Sequence, residues 1–133
     1  MSVKRFGVSL EVDLLDKLDR LVEKHGFPNR SQAIRYLINK ELVEREWVED
    51  GEVTGALVLL YDHHKPGIQE NLTRIQHDHH QLILSGQHVH LDHDHCLETI
   101  TIRGKASRLA QLADRLKTVK GIKHGELIMT TTG

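Results

Sequence analysis

The 133-residue chain is short of several things that would place it at once. No apolar run approaches the roughly 18 residues that a membrane-spanning helix needs. The opening residues MSVKRFGVSL have no long apolar stretch and no small-residue cleavage site, so a secretory leader is not expected. There is one cysteine, Cys96, which excludes an internal disulfide and fits a reducing cytoplasm. Charge of one sign is lacking too, with 18 Lys+Arg against 19 Asp+Glu and a formal net charge of −1. Hydrophobic residues at 38% and charged residues at 28% exclude disorder and collagen-like architectures. The length allows one domain, or two small ones that need outside help to stay folded. What the chain has in excess is histidine: eleven in all. Ten of them follow residue 60, and seven fall between His77 and His95.

The pattern changes character near residue 50. Phe6, Val8 and Leu10 alternate with Arg5, Gly7 and Ser9, which predicts a short half-buried strand. Leu14, Leu15, Leu18, Leu21 and Val22 then recur at helical spacing, with Glu11, Asp13 and Asp16 near the helix start and Gly26 placed to stop it. After Phe27-Pro28, Asn29 or Ser31 can cap a second helix carrying Ala33, Ile34, Leu37, Ile38 and Leu42. A single strand and two short helices bury too little surface to fold alone. A symmetric dimer with the two strands paired antiparallel would supply the missing partner. Glu49-Asp50-Gly51-Glu52 is the expected linker, dividing the chain into domains 1–50 and 51–133.

Beyond it, GALVLLY (55–61) reads as a buried strand and Ile68, Leu72 and Ile75 as a helix running towards His80. Leu82 to Leu91 and CLETITI (96–102) read as a hairpin around the polar turn Asp92 to His95. Leu109, Leu112, Ala113 and Leu116 mark a helix closed by Gly121, and Ile122 to Met129 a last strand. The order βαββαβ is that of a ferredoxin-like sandwich, so the fold class is α+β.

His88 and His90 share one face of a strand, and Cys96 opens the strand paired with it. Two imidazoles and a thiolate suit a borderline-soft divalent metal such as zinc, copper or nickel. His77, on the preceding helix, is the candidate fourth ligand, from the same chain or a symmetry mate. Glu98 lies on the face of Cys96, where it would orient a ligating imidazole. His63, His64, His79, His80, His93 and His95 read one by one as solvated side chains, with His63, His64, His79 and His80 as candidates for weaker metal binding. In the amino-terminal half, a two-stranded ribbon can enter the DNA major groove and present Arg5, Gly7 and Ser9 to base edges, with Lys4 and Arg30 near phosphates. Charge does not support this independently, because residues 1–50 hold nine basic and ten acidic side chains.

With RFGVSL, LLDKLD and NRSQAIRYLI in the first half, and YDHH, IQHDHH, HVHLDHDHCLE and GIKHGEL in the second, the whole chain resembles the nickel-responsive repressors. These join a ribbon-helix-helix domain to a regulatory domain of the ACT type. The resemblance implies Ni(II) held by His88, His90 and Cys96 of one subunit and His77 of another. Three imidazoles and a thiolate in a plane suit d⁸ nickel. It further implies a homotetramer, base reading by Arg5, position 7 and Ser9, a palindromic operator in double-stranded DNA, and control of nickel uptake in the cytoplasm. Relatives commonly have a hydroxyl residue at position 7, where this chain has Gly7. Some carry two carboxylates on the second helix that hold an interdomain cation; here the matching residues are Gln32 and Tyr36. The competing expectations are a metal store or chaperone and an ACT-type regulator answering to another metal or an amino acid. A metallohydrolase is disfavoured, since four protein ligands leave no open coordination position.

Overall fold

A computed structural model describes residues 2–133. The chain splits into two compact units, one ending at Glu41 and the other Leu42–Gly133. The division falls inside a helix, upstream of the linker expected at residues 49–52.

The first unit holds helix α1 (Val12–His25) and the start of helix α2 (Arg30–Val48). Gly26 ends α1 in the left-handed region at φ 72°, and its N–H reaches the carbonyls of Val22 and Glu23. Asn29 caps α2: its Oδ1 accepts the Gln32 N–H at 2.9 Å. The Arg30 guanidinium donates to both carboxylate oxygens of Asp19, at 2.8 and 2.9 Å, tying α2 to α1. The strand expected around Phe6–Leu10 does not form within the single chain, and residues 2–11 belong to no element. The cause is the absence of a partner, because one strand cannot satisfy its own N–H and C=O groups. Phe6 is 74% exposed and Val8 58%, and they line an apolar trough of about 390 Å³ with Leu10, Leu18, Leu21 and Ile34.

The second unit has strands β1 (Glu52–Asp62), β2 (Ile83–His90), β3 (His95–Lys105) and β4 (Ile122–Thr130), with helices α3 (Ile68–Asp78) and α4 (Ala106–Lys117). The sheet is antiparallel in the order β2-β3-β1-β4, the ferredoxin-like arrangement. Along β1 and β3 every second residue is buried, from Val53 to Tyr61 and from Cys96 to Ile102. That face meets Ile68, Leu72 and Ile75 of α3 and Leu109, Leu112 and Leu116 of α4 in one apolar core. Trp47, in the last turn of α2, packs on this core and donates its indole N–H to the Thr130 carbonyl at 3.0 Å. This packing draws the end of α2 into the second unit. Asp50, in the expected linker, is ordered in its own right: its carboxylate accepts the Ser107 N–H at 2.7 Å at the start of α4. That hydrogen bond holds its carboxyl below the usual range. Among the described residues, no helix is long and apolar enough to cross a membrane.

Candidate metal centre

Strand register builds the centre. On β2 and β3, His88 lies opposite Glu98 and His90 opposite Cys96; across β3, Tyr61 of β1 faces Cys96 from the other side. Paired residues project to the same face of a sheet, here the face covered by the helices. Cys96 and Tyr61 are fully buried and Glu98 is 3% exposed, whereas His88 and His90 stand on the edge strand.

A buried carboxylate must be well partnered to be tolerated. Glu98 accepts hydrogen bonds from the Tyr61 hydroxyl and from Gln76 Nε2, both at 2.7 Å, and its Oε1 lies 2.8 Å from His88 Nε2. Burial, reinforced by Glu98, pushes the Tyr61 phenol far up, so it remains a hydrogen donor. His88 Nε2 also lies 3.1 Å from the Tyr61 oxygen. With Nε2 set against Glu98 and Tyr61, the imidazole's other nitrogen, Nδ1, is turned towards the sulfur. That Nδ1 is 3.3 Å from Cys96 Sγ. An imidazole nitrogen beside a cysteine sulfur is a donor set that fits nickel.

The other two residues of the expected ligand set sit apart from this pair. The His90 ring packs edge-on against His63, with centroids 4.8 Å apart. His77 is exposed on α3, its ring 6.2 Å from that of His80. Among the described residues, the groups of three whose ligand atoms all lie within 4.8 Å are Asp62, His63, His64 and His64, His93, Asp94. His79 and His80 are engaged locally. Their Nδ1–H groups donate to the Ile75 carbonyl at 2.8 Å and the His77 carbonyl at 3.0 Å, closing the end of α3.

Tyr61 and Gln76 escaped the sequence reading. Tyr61 ends an apolar run and reads as core. Gln76 precedes His77 in IQHDHH, and only the helix-to-sheet packing shows it reaching Glu98.

In the first unit Arg5, Gly7 and Ser9 are exposed, and nothing lies within 4 Å of where a Cβ on Gly7 would stand. Arg30, expected near phosphates, pairs with Asp19, both side chains staying exposed. Gln32 accepts from Arg35 at 3.3 Å, and the Tyr36 ring packs on Phe27 with centroids 5.4 Å apart.

Comparison with known proteins agrees with both halves. The NikR C terminal nickel binding domain matches residues 54–130, and the ribbon-helix-helix protein, copG family, matches residues 4–45. Three relatives bear the provisional name nickel-responsive regulator. That of Desulfovibrio desulfuricans is 49% identical, covering 99% of this chain and 96% of its own. That of Geobacter sulfurreducens is 51% identical (97% and 94%), and that of Thermococcus onnurineus 46% identical (100% and 97%). An uncharacterised protein of Thermotoga maritima shares the fold alone, with a TM-score of 0.53 at 9% identity over 59% of this chain and 96% of its own. On a nickel-binding match spanning more than half of the chain and near-half identity over almost all of it, the chain belongs to the family of nickel-responsive regulators, which bind nickel and DNA and are not enzymes.

Proposed function

We propose that this chain is a cytoplasmic repressor that binds a palindromic operator when Ni(II) fills a site of three imidazole nitrogens and one thiolate sulfur, and so limits nickel uptake. Residues 1–50 act as the DNA-binding half and residues 51–133 as the ACT-type half that binds nickel and forms the tetramer. The ligands are His88, His90 and Cys96 of one subunit and His77 of a neighbour. The observation that carries this reading is the ordered pair of His88 Nδ1 and Cys96 Sγ, 3.3 Å apart, beside an exposed edge strand. His88 is already oriented by Glu98 and Tyr61, so its ring need not be immobilised when nickel arrives. His90 must turn from His63 to join it. His77 is exposed on α3 and so accessible to another copy of the chain.

The DNA-binding half follows from the same logic of incompleteness. Exposed Phe6, Val8 and Leu10 need a covering surface, and a second copy supplies one by pairing the two segments as an antiparallel ribbon. Arg5 and Ser9 then face outward, Arg5 suited to guanine, while Gly7 offers backbone only. Nickel alters operator affinity only by binding the DNA-competent arrangement of the tetramer better than the others.

The test is selection of bound duplexes from a random DNA library with and without nickel. Enrichment of a palindrome only with nickel is expected; the same enrichment under both conditions refutes nickel control. The shared site has its own check. His77→Ala and Cys96→Ala proteins, mixed and reassembled, should regain part of the tight binding that neither shows alone, because a hybrid interface keeps one intact site. No recovery despite proven subunit exchange means that the site lies within one chain.

A further inference from the structure

The stretch that polarity marks as a linker is clasped at several points within the second unit. Trp47 donates its indole N–H to the Thr130 carbonyl at the end of β4, at 3.0 Å. Asp50 accepts the Ser107 N–H at 2.7 Å, and its other oxygen lies 3.6 Å from the Lys105 ammonium. The Gly51 carbonyl accepts the Ala106 N–H at 3.0 Å, while the Gly51 N–H donates back to the Glu46 carbonyl at 3.0 Å. The end of α2 is thereby held to the end of β4 and to the start of α4 at once.

The backbone is shaped for these contacts. Asp50 holds φ 59°, in the left-handed region that a residue other than glycine adopts at a cost. Gly55 on β1 leaves room for the indole: a Cβ there would stand 3.4 Å from the Trp47 ring and 2.9 Å from the Ile128 carbonyl oxygen. A tether that merely spans two domains needs neither feature.

The clasp also stands at one end of a paired ribbon whose other end builds the metal centre. Glu52 pairs with Lys105 beside the clasp, and the β1–β3 register runs unbroken to Tyr61 opposite Cys96. That length of strand spans about 30 Å. One continuous ladder therefore joins the foot of α2 to the residues around the sulfur.

We propose that this clasp makes the end of α2 one body with the metal-binding unit, and that Trp47 and Asp50 are positioning residues on which nickel control of DNA binding depends. The second clause rests on the repressor reading; the first does not. Nickel changes operator affinity only by favouring one arrangement of the DNA-binding halves. A junction free to swivel would let those halves reach the same arrangements with and without metal, and the coupling would vanish. A clasped junction passes any rearrangement of the metal-binding core into α2, the helix that begins in the DNA-binding half.

The experiment compares the full chain with Asp50→Gly, which accepts the same backbone but cannot hold Ser107, with Trp47→Phe, which keeps a ring without the N–H, and with the double variant. Limited trypsin digestion reads the clasp: cleavage after Arg45 should be about tenfold faster in the double variant, and smaller in the same direction in each single one. Circular dichroism should show the second unit still folded. On the duplex enriched by the library selection, the gain in affinity that nickel brings should shrink about tenfold in the double variant, with nickel affinity itself unchanged. Asp50→Asn, which keeps an acceptor oxygen and tolerates the left-handed backbone, should match the parent on both counts. Equal trypsin resistance in parent and variants overturns the clasp. Faster cleavage with an undiminished nickel effect overturns its role in control. If the parent itself binds the duplex equally with and without nickel, the repressor reading fails, and the digestion alone still decides the clasp.

Discussion

The two units solve the problem of stability in opposite ways. The second closes an apolar core of its own: Leu57, Leu59, Ile100, Leu109 and Leu112 are fully buried within one chain. The first buries only Ala33 among its described residues and leaves Phe6, Val8 and Leu14 largely in water. Similar leucine-rich helices produce both outcomes, so apolar content does not decide which half folds alone. What decides is whether the chain provides the facing surface. The four-stranded sheet does so for α3 and α4, whereas α1 and the start of α2 have only an unpaired segment beside them. A half that recruits a second copy, as proposed, would couple its folding to assembly and suit a reader of two-fold DNA.

The largest effect that sharpens this contrast is expected from Leu59→Ala. Deleting a fully buried leucine should destabilise the second unit by about 2–5 kcal/mol, read by Trp47 fluorescence in urea. Leu18→Glu, in the apolar trough, should do the reverse. Operator binding is lost with the pairing of the first unit, while the Trp47 transition moves by less than about 0.5 kcal/mol. A shift of the Trp47 transition as large as that of Leu59→Ala breaks the distinction between the halves. Glu98→Gln keeps side-chain volume but replaces the carboxyl group that accepts from Tyr61 and Gln76 and faces His88. Nickel affinity in competition titration should fall about 10–100-fold with the fold retained.

Arg5→Ala confines its effect to the first unit, weakening operator binding by about 1–3 kcal/mol with nickel affinity unchanged. Equal losses on specific and random DNA would assign Arg5 to a phosphate instead. The smallest effect concerns Asp92, whose carboxyl is held down at about 2, chiefly by the hydrogen bond from the His95 side chain. A depressed folded-state value means that the ionised form's contribution is complete above the ordinary value of about 3.9 and is lost as pH falls through about 2. The amide resonances of Asp94 and His95 should therefore hold steady down to about pH 4 and move below it. Asp92→Asn should abolish that titration.

Much of the second unit is legible in the residues themselves. The alternation along 96–102 and the apolar run at 55–61 place the core strands, and Ile68, Leu72 and Ile75 repeat at helical spacing. The placement of His88, His90 and Cys96 on a hairpin is likewise readable, because a short polar turn leaves few registers. Tyr61 and Gln76 were not, since each meets Glu98 only after distant elements pack, over sequence separations of 37 and 22 residues. The limits in the first unit are of another kind. The alternation of residues 5–10 is a sound strand signal, yet it describes a state that one chain cannot reach. Nor does composition say that Arg30 will be held by Asp19. The helix boundary behaves similarly: Glu49 to Glu52 reads as a linker from polarity, but Trp47 and Asp50 fasten that stretch to the second unit.

The orientation of His88 also determines how protons move when metal is taken up. With Nε2 turned towards Glu98 and Tyr61, Nδ1 is the nitrogen that would face a metal held beside Cys96 Sγ in the proposed site. Cys96 would bind such a metal as the thiolate, so uptake there would release the thiol's proton, from a sulfur that lies 3.3 Å from His88 Nδ1.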